Sequence, residues 1–274
     1  MQDGSSGAHA DIARVNILGV HVSAITPQSA TSVLQAWIRN RTLSYVCVTG
    51  VHGVMESFRD LELRDIHNKA GLVTPDGMPL VWMSHRLGFP HVRRVYGPDL
   101  MRDMTALSAE HGYRNFYYGG TDGTPERLRD VLTRRHPGLQ VVGTLSPPFR
   151  LLTRAEDDTI VQQINTASPD IVWVGLSTPK QEQWMAEHRS RLHAPVLIGV
   201  GAAFDFLSEQ KPQAPPWMQR SGLEWLFRMA LEPRRLGLRY LRNNPTFIYE
   251  ATRQIASKSR YAGQSNSEAI PPRR

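Results

Sequence analysis

The chain contains one cysteine, Cys47, among 274 residues. A lone thiol excludes an intramolecular disulfide and any multi-cysteine zinc or iron–sulfur site. Cys47 lies within the apolar run Tyr45-Val46-Cys47-Val48, where a small buried thiol fits better than a nucleophile. Long hydrophobic runs are also missing, and no stretch approaches the ~20 apolar residues that span a bilayer. The first 13 residues are polar and rich in Gly and Ser, without the apolar core of a secretory signal. The expected location is therefore the cytoplasm, with any membrane contact peripheral. No Asp-x-Asp pair occurs, which weighs against a divalent cation held on a nucleotide diphosphate by that motif. His52 and Glu56 stand four apart with no second histidine beside them, so no metal site is expected. Neither Gly119–Pro125 nor Gly199–Phe204 keeps the G-x-G-x-x-G spacing, which disfavours a dinucleotide-dependent oxidoreductase. Internal repeats are absent.

Positive charge is plentiful but confined. The whole chain carries 32 Lys+Arg against 25 Asp+Glu, a net of +7. Residues 1–210 hold 20 basic and 21 acidic side chains, and residues 211–274 hold 12 basic and 4 acidic. A near-neutral body thus carries a basic appendage. The hydrophobic share of 41% gives the body enough apolar material for a single core.

Short apolar runs alternate with helix-period segments. Strands are expected at Asn16–Leu18 with Val20–Ser23, Ser44–Val48, Gly71–Val73, Phe116–Tyr118, Gln140–Val142, Ile171–Leu176 and Val196–Val200. Crossover helices are expected near 28–40, 51–69, 77–88, 98–111, 125–136, 155–167 and 179–191. This alternation predicts an α/β fold, a mainly parallel Rossmann-like sheet with helices on both faces. Ile171-Val172-Trp173-Val174 is apolar without alternation, as in a strand covered on both sides. Gly19 inside Arg14–Ile25 suggests a small N-terminal hairpin. The expected organisation is disorder over 1–13, a catalytic α/β domain over 14–210, a basic helical appendage over 211–256 and a disordered tail over 257–274.

Functional residues of open α/β sheets gather at the carboxyl ends of strands. Gly119 to Pro125 joins a strand to a helix, with Thr124 as N-cap and Pro125 first in the helix. Its glycines and free N–H groups suit a phosphate, although an ordinary strand–turn–helix joint explains the same residues. Asp205, after Gly201, suits a ribose or base, or equally a helix cap. Pro75-Asp76-Gly77 is a turn signal in its own right, and also a strand-tip carboxylate able to act as general base on a hydroxyl. With Thr178 as N-cap, Gln181 falls at N3, a capping-box spacing. Lys180 would then face the strand ends, where an anion would sit. Arg93-Arg94, ahead of Pro98-Asp99, reads as a solvated pair or as an anion clamp.

The appendage opens with Leu223, Leu226, Phe227, Ala230 and Leu231 at helical spacing. Pro233 interrupts it, and a second helix from Arg234 to Arg242 ends at Asn243-Asn244-Pro245. Arg235, Arg239 and Arg242 share one face, with Leu238 and Leu241 on an adjoining one. Such helices dock on a core, bind a partner or lie in an anionic membrane interface. Trp225, Phe227 and Tyr240 among the arginines also suit nucleic acid, the alternative function.

In order along the chain, Thr74-Pro75-Asp76-Gly77-Met78-Pro79-Leu80-Val81-Trp82, Arg94-Val95-Tyr96-Gly97-Pro98-Asp99-Leu100 and Phe116-Tyr117-Tyr118-Gly119-Gly120 resemble segments of the WecG/TagA/CpsF glycosyltransferases. So do Pro169-Asp170-Ile171 through Ser177-Thr178-Pro179-Lys180-Gln181-Glu182, Gly199–Asp205, and Gly222–Arg228 through Glu232-Pro233-Arg234-Arg235. The resemblance implies synthesis of bacterial cell-surface polymers or exopolysaccharide. The reaction would move a sugar from a UDP-sugar to a polyprenyl-diphosphate-linked saccharide, with inversion and with no required metal or cofactor. It makes Asp76 the base on the acceptor hydroxyl, puts Arg94 near phosphate, lines the pocket with Thr49 and Gln181, and gives Gly201 and Asp205 to the UDP side. His52, Gly119, Gly120, Lys180 and the appendage arginines Arg228, Arg234 and Arg235 complete the expected substrate-binding set. Many members carry asparagine directly after the Thr49 position, whereas this chain reads Thr49-Gly50-Val51-His52. The exopolysaccharide branch looks the closer relative, so hexosyl or hexuronosyl transfer is expected rather than N-acetylmannosaminyl transfer. A lipid-linked acceptor implies peripheral association with the inner face of an anionic cell membrane. Nucleic acid is then not an expected partner, and a homo-oligomer is left open.

Overall fold

The computed structural model describes residues 12–256. Residues 1–11 and 257–274, where disorder is expected from composition, lie outside the described residues. Ile12 and Ala13 pack against the core, and the Ala24 N–H donates to the Ala13 carbonyl at 2.8 Å.

Strands β1 (Arg14–Ile17) and β2 (Val20–Ser23) form the antiparallel hairpin. Leu18 and Gly19 between them both take positive φ, 52° and 91°, the turn geometry that matches strand twist. Strands β3 (Ser44–Thr49), β4 (Leu72–Pro75), β5 (Arg114–Gly119), β6 (Gln140–Leu145), β7 (Ile171–Gly175) and β8 (Val196–Gly199) make one six-stranded sheet in the order β4-β3-β8-β7-β5-β6. Every pairing in it is parallel. Successive residues of a strand serve opposite faces: Tyr45 and Cys47 enter one core with the hairpin, while Val46 and Val48 enter the other. Both faces are therefore apolar, which is why these strands show no polar alternation.

The helices are α1 (Pro27–Arg39), α2 (Val51–Arg59), α3 (Leu61–Lys69), α4 (Met78–Arg86), α5 (Gly97–His111), α6 (Thr124–Arg135), α7 (Arg154–Ala167), α8 (Lys180–His188), α9 (Ala203–Leu207), α10 (Pro216–Arg220), α11 (Glu224–Leu231) and α12 (Pro233–Ala256). α1, α5, α6 and α9 cover one face of the sheet; α2, α4, α7, α8 and the hairpin cover the other. The single helix expected over 51–69 is two helices. Asp60 ends α2 and caps α3, its Oδ1 accepting from the N–H groups of Glu62 (2.9 Å) and Leu63 (3.1 Å). A side chain that satisfies the free amides of a new helix start favours a break there.

The appendage departs from expectation at Pro245, where α12 continues to Ala256. A mid-helix proline costs roughly 3 kcal/mol, so tertiary contacts must supply more. They lie on both sides of it. Asn243 donates to His52 Nδ1 (3.0 Å) and accepts from Arg59 (2.8 Å). Beyond the proline, Phe247 and Ala251 enter the core. Gln254 bonds the hairpin twice, accepting from Leu18 N–H (3.0 Å) and donating to the Asn16 carbonyl (2.7 Å).

Candidate active site

A cavity of about 590 Å³ opens where the carboxyl ends of β3, β4 and β8 meet the appendage. That is where a parallel sheet offers its strand tips to a ligand. Asp76 directly follows β4. Its N–H extends the ladder to the Thr49 carbonyl (3.0 Å), while Pro75's carbonyl accepts from Val95 N–H (3.0 Å). Helix α4 starts after Gly77 with no side-chain cap, so the Asp76 carboxylate is not spent on the local turn. Among the described residues it accepts one hydrogen bond, from Gly97 N–H at the start of α5 at 3.4 Å. Burial raises its pKa to about 6, against the pull of Arg94 and Arg228 and with a push from Glu224. A carboxylate held that high is basic enough to take a proton at neutral pH.

Arg94 stands beside it, its Cζ 3.9 Å from the centre of the Tyr96 ring. Its Nη2 pairs with Glu224 at the start of α11, and the Tyr96 hydroxyl donates to the same carboxylate at 2.8 Å. Across the cavity Arg228 lies over the Phe206 ring at 5.6 Å, and Arg239 leans on Tyr240, 5.4 Å to its ring. Neither Arg228 nor Arg239 has a carboxylate ion-pair partner among the described residues, and the Arg239 Nε is buried without a hydrogen bond. Burial opposes the charge of Arg228, yet Tyr240, Glu224, Tyr96 and Asp76 hold its pKa above the ordinary value. Burial depresses that of Arg239, and Arg228 and Arg235 add repulsion although Tyr240 opposes it. Two crowded guanidinium groups with no direct carboxylate ion pair among the described residues suit a multiply charged anion.

His52 is held by Asn243 and by the Thr178 backbone. Burial, then Arg239, Arg59 and Arg228, drive its pKa down to about 4, although the Thr178 bond works the other way; it is neutral at physiological pH. Gln181 lies at the β8 tip, where a Cβ on Gly201 would sit 3.5 Å from its Oε1. The expected capping box is not formed. Thr178's hydroxyl donates instead to Glu182 (3.0 Å), and so does the Gln181 amide (3.0 Å). Pro179 is the N-cap of α8, so Thr178 lies outside the helix start.

Of the expected site residues, the catalytic candidate Asp76 and the substrate-binding candidates His52, Arg94, Gln181, Gly201, Arg228 and Arg235 border this cavity. Thr49, Gly119, Gly120, Lys180, Asp205 and Arg234 do not. Thr49 turns its hydroxyl to the Cys47 carbonyl (3.3 Å). A Cβ on Gly119 would meet the Gly175 backbone at 2.7 Å, so close packing of β5 on β7 accounts for that glycine. Gly120 faces Thr124, which begins α6 one residue before Pro125 and bonds Thr121 (2.7 Å). Asp205 is paired with Lys211 at 2.8 Å, and Lys180 and Arg234 are exposed. Arg235 is shared with Glu232. The cavity adds Tyr96, Glu224 and Arg239. Arg239 carried a sequence signal, its place on the arginine face of the second appendage helix. Glu224 and Tyr96 lie within segments that carry the family resemblance, but nothing in those segments singles them out, because their proximity to each other is purely tertiary. Among the described residues no group of three or more His, Cys, Asp or Glu is gathered to hold a metal ion.

A buried carboxylate and guanidinium groups without ion-pair partners share one cavity at the strand tips of a parallel α/β frame, an arrangement that suits a group-transfer enzyme. The chain belongs to the glycosyl transferase WecG/TagA/CpsF family, whose profile matches residues 15–261. It is similar to the N-acetylglucosaminyldiphosphoundecaprenol N-acetyl-beta-D-mannosaminyltransferases of Staphylococcus aureus strains NCTC 8325 / PS 47 and COL. Each is 25% identical over 240 residues, covering 87% of this chain and 92% of the relative.

Proposed function

We propose that this protein is an inverting, metal-independent glycosyltransferase that moves a sugar from a UDP-sugar to a polyprenyl-diphosphate-linked saccharide in exopolysaccharide or cell-surface polymer synthesis. The observation that carries the reading is the Asp76 carboxylate, raised to about 6 in the same cavity as Arg228 and Arg239. Asp76 takes the proton of the acceptor hydroxyl as that oxygen attacks the anomeric carbon from the face opposite UDP. The bond to UDP breaks, and its departing diphosphate gains charge that the two guanidinium groups are suited to stabilise. Inward-facing arginines supply the electrostatic role that a divalent cation would otherwise fill. The relatives' named acceptor, a sugar on diphosphoundecaprenol, supports a lipid-linked acceptor here.

A hexosyl or hexuronosyl donor follows the resemblance to the exopolysaccharide branch, although the relatives are named as N-acetylmannosaminyltransferases. Gly50 is where the pocket departs from many members: a Cβ there would lie 3.9 Å from Asp76 Oδ2, so an asparagine at this position would reach over the base. The appendage exposes Leu231, Leu238, Leu241 and Tyr249 among exposed Arg234 and Arg242. No helix among the described residues is long and apolar enough to cross a membrane, and this mixed surface supports peripheral binding to anionic lipid on the cytoplasmic side. Turning Arg228 and Arg239 inward removes them from any stripe that would track a nucleic-acid backbone, which favours the transferase over that alternative. The test is incubation with a panel of UDP-sugars and a diphosphate-linked lipid glycan, with product masses read out. Transfer from one UDP-sugar without added metal is the expected result. No product from any donor, or strict dependence on a divalent cation, counts against the proposal.

A further inference from the structure

The Asp76 carboxylate stands beside a guanidinium with which it does not pair. Arg94 donates from Nε to Asp76's own backbone carbonyl (2.5 Å), while its Nη2 is drawn away to Glu224. Glu224 is held in turn by the Tyr96 hydroxyl (2.8 Å), and the Arg94 guanidinium lies over the Tyr96 ring. An arginine anchored on an aspartate's own backbone carbonyl is placed to form the bidentate pair that these groups frequently make. What competes comes from the first turn of α11, in the appendage.

We propose that Glu224 is a positioning residue that holds Arg94 off Asp76, so that the base is free only when the C-terminal helices are docked. The inference rests on Asp76 being the base. An arginine paired directly with an aspartate lowers its pKa by about 1–3 units and occupies the oxygens that must receive the acceptor proton. Glu224 diverts that guanidinium while leaving it anchored to the Asp76 backbone. Lifting α11 away would release Arg94 onto Asp76 and switch the base off. The charged and titratable groups facing Asp76 are Arg94 and Tyr96 from the loop before α5, and Glu224 and Arg228 from α11.

The test is carboxyl carbon-13 NMR of the full chain labelled at aspartate, with Asp76 assigned by its loss in Asp76→Asn. Titration curves are compared for wild type, Glu224→Gln, Arg94→Gln and the double variant. Glu224→Gln is expected to lower the Asp76 midpoint by about one unit or more, with the acidic limb of turnover moving equally. In the Arg94→Gln background the same change is expected to shift the midpoint far less, because no guanidinium is left to relocate. An unchanged midpoint in Glu224→Gln overturns the proposal. So does an equal shift in both backgrounds, which would mean that Glu224 acts by its charge alone. Should Glu224→Gln fail to fold, Tyr96→Phe removes only the hydroxyl that steadies Glu224; a smaller downward shift supports the proposal, and no shift overturns it. Full turnover in Asp76→Asn would defeat the base assignment, whereas the midpoints report the Arg94 exchange independently of activity.

Discussion

Changing Asp76 to asparagine removes one charge and one proton acceptor while keeping the side chain's size and its bond from Gly97 N–H. Loss of a positioned general base costs about 10²–10⁴ in rate, or roughly 3–5 kcal/mol of transition-state stabilisation at about 1.4 kcal/mol per decade. UDP affinity should stay within about twofold, because hydrogen bonding and charge at the diphosphate come from other residues. The same substitution has a stability signature of opposite sign. Burial raises the folded-state pKa from 3.8 to about 6, so the folded protein holds this proton more tightly than the unfolded chain does. That stabilisation is full below the unfolded value and is lost as pH rises through about 6. At neutral pH the ionised carboxylate therefore opposes folding, by about 3 kcal/mol at most. Asp76→Asn should raise the melting temperature at pH 7 and leave it nearly unchanged at pH 4, while its turnover at pH 7 falls by about 10²–10⁴. Wild-type turnover should itself fall on acidification, with a midpoint near about 6 that the variant lacks. Stopped assays with radiolabelled donor, calorimetric UDP titration and thermal melts at the two pH values give all three readouts. Near-wild-type turnover with the acidic limb intact would refute the reasoning.

Three further outcomes follow from other parts of the cavity and fold. Arg228→Gln and Arg239→Gln should each weaken UDP binding by about 1.5–3 kcal/mol, the worth of a hydrogen bond to a charged group; calorimetry showing wild-type affinity in both would remove the diphosphate role. Their folding stability should not fall correspondingly, since neither guanidinium has a carboxylate ion-pair partner to orphan. Gly119→Ala forces a Cβ to 2.7 Å from the Gly175 backbone at a φ of +119° and should cost about 2–4 kcal/mol in chemical denaturation. UDP affinity of its folded fraction should be normal, which separates packing from phosphate contact. Replacing Leu238 and Leu241, 80% and 67% exposed, by aspartate should release the protein from anionic vesicles in flotation assays without changing its melt. Unchanged flotation would place the membrane surface elsewhere.

The frame of this protein was legible because its physics is local. Apolar runs without alternation marked strands buried on two faces, and the helices between them dictated a parallel sheet whose tips carry the chemistry. Asp76 could be nominated from Pro-Asp-Gly at a strand end, and the confinement of positive charge to the last quarter isolated the appendage. What the chain could not reveal alone is how those charges divide. Thr49 faces its own strand, and Gly119 answers to the Gly175 backbone. Asp205 is taken up by Lys211. Arg228 and Arg239 turn inward, while Arg234 stays in solvent. The helix that carries Arg239 outlasts Pro245 because Asn243, Phe247 and Gln254 find partners far away in sequence. Sequence by itself determined the sheet, a strand-tip carboxylate at Asp76 and the existence of a basic arm, since periodicity, turn chemistry and composition act over a few residues. Only tertiary structure decided which arginines reach the cavity and that Glu224, rather than Asp76, takes Arg94. Ion pairing and burial depend on neighbours brought together across more than a hundred residues, and nothing along the chain encodes that distance.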